Sequence, residues 1–156
     1  MFITKGVNDS QAEAGSQVLF YGGEFGYCFS NFAAFNVAWR DRVWSTSEHA
    51  FQAACFEDKQ IVEEIYNAPS AHDALKLAIK YLDQARPTWK EDRLSIMKDI
   101  CQAKLEQHPY IRKALVESGE AELVEDSPKD EFWGRGADWK GKNHLGKIWM
   151  ELRAEI

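Results

Sequence analysis

The segment between Pro87 and Pro109 constrains the fold more than any other part of the sequence. Its residues follow a helical hydrophobic period and proline interrupts helices, so the sequence predicts one long helix from about Thr88 to Glu106. At about 100° per residue, the apolar stripe of this helix consists of Ile96, Met97, Ile100 and Cys101. We therefore expect this stripe to face the protein core.

The rest of the chain predicts a predominantly helical α+β fold with a small antiparallel sheet. Five further helices are predicted. Two of them cover residues 59–66 and 110–118, and the other three begin at Ser45, at Ser70 and near Leu145. Strand patterns cover 18–21, a hairpin formed by 35–39 and 42–44, and 121–125. Repeats and linkers are absent from the 156 residues, which predicts a single domain over 1–156 with a loosely ordered segment at 1–16.

The charge and the cysteines narrow the functional class. A formal net charge of −6 argues against extended nucleic-acid binding, although a local anion pocket is still possible. No run of about 18 apolar residues and no secretory h-region occur, so we expect a cytoplasmic protein without membrane contact. Three widely spaced cysteines indicate reduced thiols, and no motif indicates a metal or another cofactor.

The helix that begins near Ser45 places three polar or reactive side chains on one face. Gln52 and Cys55 follow Glu48 at i+4 and i+7, so a carboxylate and an amide lie together where they can grip a sugar hydroxyl. A structural role for Glu48 is an alternative, because 45–48 fits the capping box S/T-x-x-E. His49 has no spaced partner, which is typical of a hydrogen-bonded structural histidine.

Two cations fall inside the apolar stripe of the long helix. Arg93 and Lys104 stand at nearly the same wheel angle as Ile100, and burying a lysine ammonium costs several kcal/mol unless it is paired. One interpretation is that both side chains extend to solvent at the rim. The other is a pocket lined by Lys104, Arg93 and Trp89, suited to a phosphorylated or carbonyl-bearing ligand with a flat base.

The segment after Glu125 is a loop with aromatic residues. Asp130 precedes Trp133 by three positions, and Gly134 and Gly136 allow a close approach of the backbone to a ligand. Asp130 also fits the simpler role of a turn residue. The chain has six Trp, nine Phe and five Tyr, which suits either an aromatic core or stacking on a planar base.

Taken in order, these segments resemble the NADAR, or YbiA-like, family from residue 18 to 153. The matching pieces are Phe20-Tyr21, Phe29-Ser30-Asn31-Phe32, Trp44, 47–53, Ala103-Lys104, Leu123-Val124-Glu125 with Ser127 and Asp130, Phe132-Trp133-Gly134, and Gly141-x-Asn143-x-Leu145-Gly146. Relatives often carry a basic residue at the position of Cys55, which is where this chain departs from the pattern.

The resemblance implies an N-glycosidase that cleaves the bond between ribose C1′ and a nitrogen in ribosylamino-pyrimidine phosphates of riboflavin biosynthesis. It implies functional roles for Glu48, Trp89, Lys104, Asp130 and Trp133. The expected catalytic residues are Glu48, Asp130 and Lys104. The expected residues for binding a small-molecule substrate are Trp89, Trp133, Arg93, Asn31, Gln52, Phe20 and Gly134.

Two reaction routes and three other functions stay open at this point. A carboxylate can stabilise an oxocarbenium-like state, or Lys104 can form a Schiff base at C1′ of the ring-opened sugar. The alternative functions are removal of ADP-ribose from guanine in nucleic acid, a non-catalytic ADP-ribose or nucleotide reader, and a structural domain. A reader does not need two carboxylates and a cation in its site.

Overall fold

The computed structural model of the protein describes residues 2–3, 15–21 and 26–156. Most of the segment predicted to be loosely ordered, 1–16, lies outside the described residues. The chain divides into two compact units, which are described separately: unit 1 comprises Met1–Ser30 and His108–Ile156, and unit 2 comprises Asn31–Gln107. The single domain over 1–156 stays a prediction.

Unit 2 contains a hairpin and four of the six helices found among the described residues. Its elements are β3 (Val37–Trp39), β4 (Arg42–Trp44), α1 (Ser47–Ala54), α2 (Lys59–Tyr66), α3 (Ala71–Lys80) and α4 (Trp89–Gln107). Helix α1 packs against α2, α3 and α4, which places it at the centre of this unit. The helices predicted from the hydrophobic period are confirmed, with ends that move by at most two residues.

The β3–β4 hairpin confirms the predicted antiparallel sheet, and it lies against α4. Val37 pairs with Trp44, and Trp39 pairs with Arg42. The turn has no glycine, so Arg40 itself adopts the left-handed conformation, with φ of 54°. The Gln107 side chain bonds both backbone groups of Ala38, at 2.7 and 2.8 Å, and thereby attaches the hairpin to the end of the helix.

Unit 1 contains a second sheet, whose strands are parallel. Its elements are β1 (Phe2–Ile3), β2 (Gln17–Phe20), α5 (Pro109–Glu117), β5 (Glu122–Glu125) and α6 (His144–Ala154), with a short 3-10 helix at Tyr27–Phe29. The strand order is β1-β2-β5, and Val18 pairs with Leu123. The sequence patterns predicted the strands β2 and β5 but not their parallel pairing.

Helix α6 packs directly on β5, and its first residues hold that strand. Asn143, in the left-handed conformation, accepts a hydrogen bond from the N–H of Glu125 and donates one to the carbonyl of Leu123, both 2.9 Å long. A Cβ at Gly146 would lie 2.0 Å from the carbonyl oxygen of Leu123, so only glycine allows this approach. The Gly141-x-Asn143-x-Leu145-Gly146 segment therefore has a structural role.

The buried side chains include the three thiols. Cys28, Cys55 and Cys101 are all buried, and none of the three forms a disulfide. Among the residues that the structure describes, no helix combines the length and apolar character that a membrane span requires.

Candidate active site

The position of Glu48 is set by the cap of α1. Thr46 is the N-cap, because its hydroxyl accepts a hydrogen bond from the backbone N–H of His49 at 3.2 Å. The capping box predicted for Ser45 and Glu48 is therefore wrong. Glu48 is the second helical residue, and its own N–H donates to the carbonyl of Asn31 at 3.1 Å. Glu48 is therefore not the glutamate of a capping box, and its presence needs another explanation.

The carboxylate of Glu48 is buried and hydrogen-bonded along its own helix. The Gln52 side-chain amide donates to Oε1 of Glu48 at 2.6 Å, which confirms the predicted shared face. Only 6% of Glu48 is exposed. Because a carboxylate that leaves water loses hydration, such burial requires compensating polar contacts, of which Gln52 provides one.

Lys104 is the least expected side chain of α4. It is 0% exposed, so it does not extend to the rim as one interpretation of the sequence proposed. Its ammonium nitrogen lies 3.4 Å from the hydroxyl oxygen of Ser47 and 5.6 Å from the centre of the Phe35 ring. Lysine is almost never fully buried unless it is paired, so this burial makes the amine a candidate group of the site.

Ser47 connects Lys104 to the start of α1. Its hydroxyl lies 3.3 Å from the carbonyl oxygen and 3.2 Å from Oδ1 of Asn31, whose amide nitrogen contacts the sulfur of Met97 at 3.3 Å. Sequence reasoning did not assign Ser47 to the site; its place beside Glu48 in the family segment 47–53 was the available signal. We call the following residues the α1 polar cluster: Asn31, Ser47, Glu48, Gln52 and Lys104.

The other two predicted residues of α4 lie nearer its beginning. The half-buried Trp89 packs on Phe51, with ring centres 5.0 Å apart and planes inclined by 46°. Arg93 is also half-buried. Trp89 and Lys104 stand about 22 Å apart along the helix at 1.5 Å per residue. A pocket lined by Lys104, Arg93 and Trp89 would have to extend along most of α4, and it stays a prediction.

In unit 1, Asp130 organises the loop that follows β5. Its Oδ1 accepts hydrogen bonds from the backbone N–H groups of Phe132 and Trp133, at 2.9 and 2.8 Å. This is the turn geometry that the simpler interpretation predicted. Within the described residues Oδ2 has no hydrogen bond. Asp130 thus uses one carboxylate oxygen to shape the loop.

The aromatic and glycine residues of the loop pack mainly against the loop itself. Trp133 is half-buried, and its ring meets Phe132 edge-on with centres 4.7 Å apart. A Cβ at Gly134 would lie 3.1 Å from the carbonyl oxygens of Asp130 and Glu125. The closeness seen at Gly134 is to its own chain, and its role in substrate binding stays a prediction.

Phe20 and His49 both have structural surroundings. Phe20 is fully buried and meets Phe29 edge-on with ring centres 5.9 Å apart, so its ring belongs to the core rather than to the predicted ligand contact. Both ring nitrogens of His49 are occupied, by the Thr46 hydroxyl at 2.8 Å and the Ala68 carbonyl at 3.0 Å. The structural interpretation of His49 is confirmed.

Cys55 is the C-cap of α1 and lies near Arg86. Its carbonyl accepts a hydrogen bond from the N–H of Arg86 at 2.9 Å. Burial raises the pKa of the Cys55 thiol to about 11, and the nearby positive charge of Arg86 opposes that rise. In the described part of the chain, no three His, Cys, Asp or Glu side chains come together in a way that could hold a metal ion.

The NADAR domain family matches residues 19–156. The chain belongs to the NADAR family. It is 38% identical over 128 residues to the N-glycosidase YbiA of Escherichia coli, with 82% of this chain and 80% of YbiA covered. Identity to the N-glycosidase Npun_R5314 of Nostoc punctiforme is 39% over 132 residues, covering 83% and 85%.

Two further comparisons extend the NADAR assignment. The riboflavin biosynthesis protein VVA0006 of Vibrio vulnificus is 35% identical over 127 residues, which cover 81% of this chain and 35% of that longer protein. The solution structure of E. coli YbiA matches with a TM-score of 0.86 and 34% identity, over 98% of this chain and 92% of YbiA. This NADAR protein therefore has the α+β fold of YbiA, as the sequence resemblance implied.

Proposed function

We propose that the protein is an N-glycosidase that hydrolyses the bond between ribose C1′ and the amine nitrogen of a ribosylamino-pyrimidine phosphate. The observation that carries the proposal is the α1 polar cluster. Ser47 lies 3.4 Å from the buried amine of Lys104, and the next residue, Glu48, has a buried carboxylate that Gln52 hydrogen-bonds. The names of the NADAR relatives support the same reaction class and the riboflavin pathway.

The carboxylate route uses Glu48. As the C1′–N bond lengthens, positive charge develops on the sugar, and a nearby carboxylate stabilises that charge or takes a proton from the attacking water. Water adds its oxygen to C1′, and the leaving nitrogen receives a proton. Gln52 holds one oxygen of Glu48, so it acts as a positioning residue.

The amine route uses Lys104. A ribosylamine opens to an imine, the lysine nitrogen adds to C1′, and the pyrimidine amine leaves with a proton. Water then hydrolyses the lysine–C1′ imine and regenerates the free amine. Ser47 lies within 3.4 Å of that nitrogen and is placed to orient it. Both routes yield the same products, a ribose phosphate and a free pyrimidine amine.

The remaining site residues are proposed to bind the substrate. Trp89 and Trp133 offer aromatic surface for a base, and Arg93 offers a cation for a phosphate. Asn31 is proposed to bind the substrate as well, and its contacts also keep Ser47 in place. For Asp130 the proposed catalytic role uses Oδ2. We also propose that the protein acts on its small-molecule substrate in the cytoplasm.

The proposal is tested by incubating the protein with a ribosylamino-pyrimidine phosphate and, in parallel, with an oligonucleotide that carries ADP-ribose on guanine. Products are identified by mass spectrometry. We expect equimolar pyrimidine amine and ribose phosphate from the first substrate. Glu48→Gln should abolish most of this turnover, and Glu57→Gln, an exposed glutamate just beyond α1, should not.

The other outcomes separate the alternatives. Turnover of the oligonucleotide alone would keep the N-glycosidase class and replace the substrate. Binding of ADP-ribose without turnover of either substrate would overturn the enzyme assignment in favour of a reader.

A further inference from the structure

We propose that unit 2 contains a second ligand site, a groove beside the β3–β4 hairpin that binds a diphosphate. This cavity has a volume of about 380 Å³. We call it the hairpin groove; its charged lining residues are Arg40, Asp41, Arg42, Lys59, Glu63 and Arg86. Its uncharged lining comes from the hairpin tryptophans, the end of α1 and the beginning of α2.

The charge of the groove is opposite to that of the chain. Four cations and two carboxylates line it, which gives a formal charge of +2 (four minus two), whereas the whole chain carries −6. A locally positive cavity on an acidic protein concentrates anions and does not attract an extended polyanion over a wide surface. The ligand is therefore a compact anion.

Two arginines of the groove lie over aromatic rings. The Arg40 guanidinium lies 4.1 Å from the centre of the Trp39 ring. The Arg42 guanidinium lies 4.1 Å from the centre of the Tyr66 ring and pairs with Glu63 at 3.0 Å. A guanidinium stacked on a ring keeps its N–H donors in the ring-parallel plane, and that planar fork matches two oxygens of a phosphate group.

The remaining cations have donors that the protein does not use. Among the described residues, Arg40, Lys59 and Arg86 form no ion pair with a carboxylate. Nε of Arg86 is buried and has no hydrogen-bond partner there, which is uncommon for a buried donor. Cations on the hairpin, on α2 and before α4 are more than one phosphate group needs, so a pair of adjacent phosphates fits best.

The hairpin groove is separate from the α1 polar cluster. Ala53 and Ala54 line the groove, and at about 100° per residue they point about 100° to 160° away from Glu48 and Gln52 on α1. The groove therefore opens on a different side of the helix. A ligand there leaves the N-glycosidase residues uncovered.

The test is a titration of ¹⁵N-labelled protein with inorganic pyrophosphate, followed through the indole N–H signals of Trp39 and Trp44. Both tryptophans line the groove, so their signals report on it. Their indole N–H groups are hydrogen-bonded to Asp99 and to the Trp39 carbonyl. We expect saturable shifts of both signals. The double variant Arg40→Asn, Arg86→Gln should bind pyrophosphate about tenfold or more weakly, because it loses two charge-assisted contacts.

Controls keep the result interpretable. Lys76→Gln removes an exposed cation of unit 2 outside the groove and should leave the affinity unchanged. If the double variant does not fold, Arg40→Asn alone is used, because asparagine tolerates the positive φ of that position; a weakening of several-fold is then expected. No shift at either indole, or an equal weakening in Lys76→Gln, would overturn the proposal.

ADP as a second probe identifies the source of the diphosphate. Tighter binding of ADP than of pyrophosphate supports a nucleotide ligand, and equal binding supports the diphosphate as the recognised unit. If only a single-stranded oligonucleotide shifted these signals, the groove would be a nucleic-acid contact and the proposal would be wrong.

Discussion

The ammonium nitrogen of Lys104 lies 3.4 Å from the hydroxyl oxygen of Ser47, and no part of the lysine is exposed. Ser47 is followed by Glu48, so one turn of α1 presents a hydroxyl to the amine and a carboxylate to Gln52. A buried amine and a buried carboxylate are each costly to take out of water, and groups of this kind are frequent at sites that carry out chemistry. The predictions below test each part of this arrangement.

We expect Lys104 to be trapped by borohydride during turnover if the amine route operates. Reduction of the imine would leave a secondary amine, detected as a peptide mass increase that matches the sugar phosphate. Lys104→Met should lose turnover, whereas Lys90→Met, an exposed lysine of α4, should retain it. No adduct together with an active Lys104→Met variant would eliminate the amine route. No adduct with an inactive variant would restrict Lys104 to an electrostatic or phosphate-binding role.

Substitution of Thr46 should lower the folding stability, whereas substitution of Glu48 should lower turnover. Thr46→Ala removes the N-cap of α1 and should cost about 1 kcal/mol of unfolding free energy, with turnover largely kept. Glu48→Gln keeps an acceptor for Gln52 and should unfold near the wild-type midpoint, but turnover should fall at least about a hundredfold. Thermal unfolding and product assays on both variants provide the comparison. Full activity of Glu48→Gln would remove its catalytic assignment.

Two substitutions at Asp130 separate the shape of the loop from its charge. Asp130→Asn keeps Oδ1 as an acceptor for Phe132 and Trp133, so we expect normal stability with turnover reduced about tenfold or more. Asp130→Ala loses both loop hydrogen bonds and should also cost about 1–2 kcal/mol. Stability is measured by denaturant unfolding beside initial rates. If Asp130→Asn turns over like the wild type, Asp130 only shapes the loop.

Cys55 should make folding stability depend on alkaline pH. Its pKa is about 11 in the folded protein against an ordinary value of 9.0, because burial disfavours the thiolate. The folded state therefore holds the proton more tightly, and the stability from this group is complete below pH 9. It should fall by up to about 2–3 kcal/mol as the pH rises from 9 to 11.

Cys55→Ala serves as the comparison for this pH effect. The variant should show a flatter decline over the same range, since the other titrating groups are common to both proteins. Urea unfolding at several pH values measures the difference. Parallel curves for the two proteins would mean that burial of Cys55 does not set its ionisation.

Helices were predictable because their signals are local. Residues 59–66 agree with α2, since Asp58 caps its beginning and Asn67-Ala68-Pro69 ends it. The buried stripe of α4 followed from the helical period, which placed Lys104 inside the stripe without deciding whether its side chain is buried. These features depend on spacing within a few turns, which the sequence displays directly.

Strand pairing and side-chain contacts between residues far apart in sequence were not predictable. The parallel pairing of β2 with β5 joins residues about a hundred positions apart, and neither strand pattern identifies its neighbour. Ser45, Thr46 and Ser47 are three similar hydroxyl residues in sequence; only the contact of Ser47 with Lys104 and the bond from His49 to Thr46 distinguish their roles. The sequence predicted most residues of the candidate site, but it did not predict the hydrogen bonds between them.

The two hydrogen bonds between the Asn143 side chain and β5 have a consequence for ligand affinity. This side chain bonds Leu123 and Glu125 at the end of β5, so the loop that carries Asp130 leaves and returns at the same short stretch of strand. With both ends fixed and its interior bonded, the loop loses its conformational freedom when the protein folds, not when a ligand arrives. A ligand that bound this loop would meet a preorganised surface, and tight recognition would need fewer contacts there than on a mobile loop of equal length.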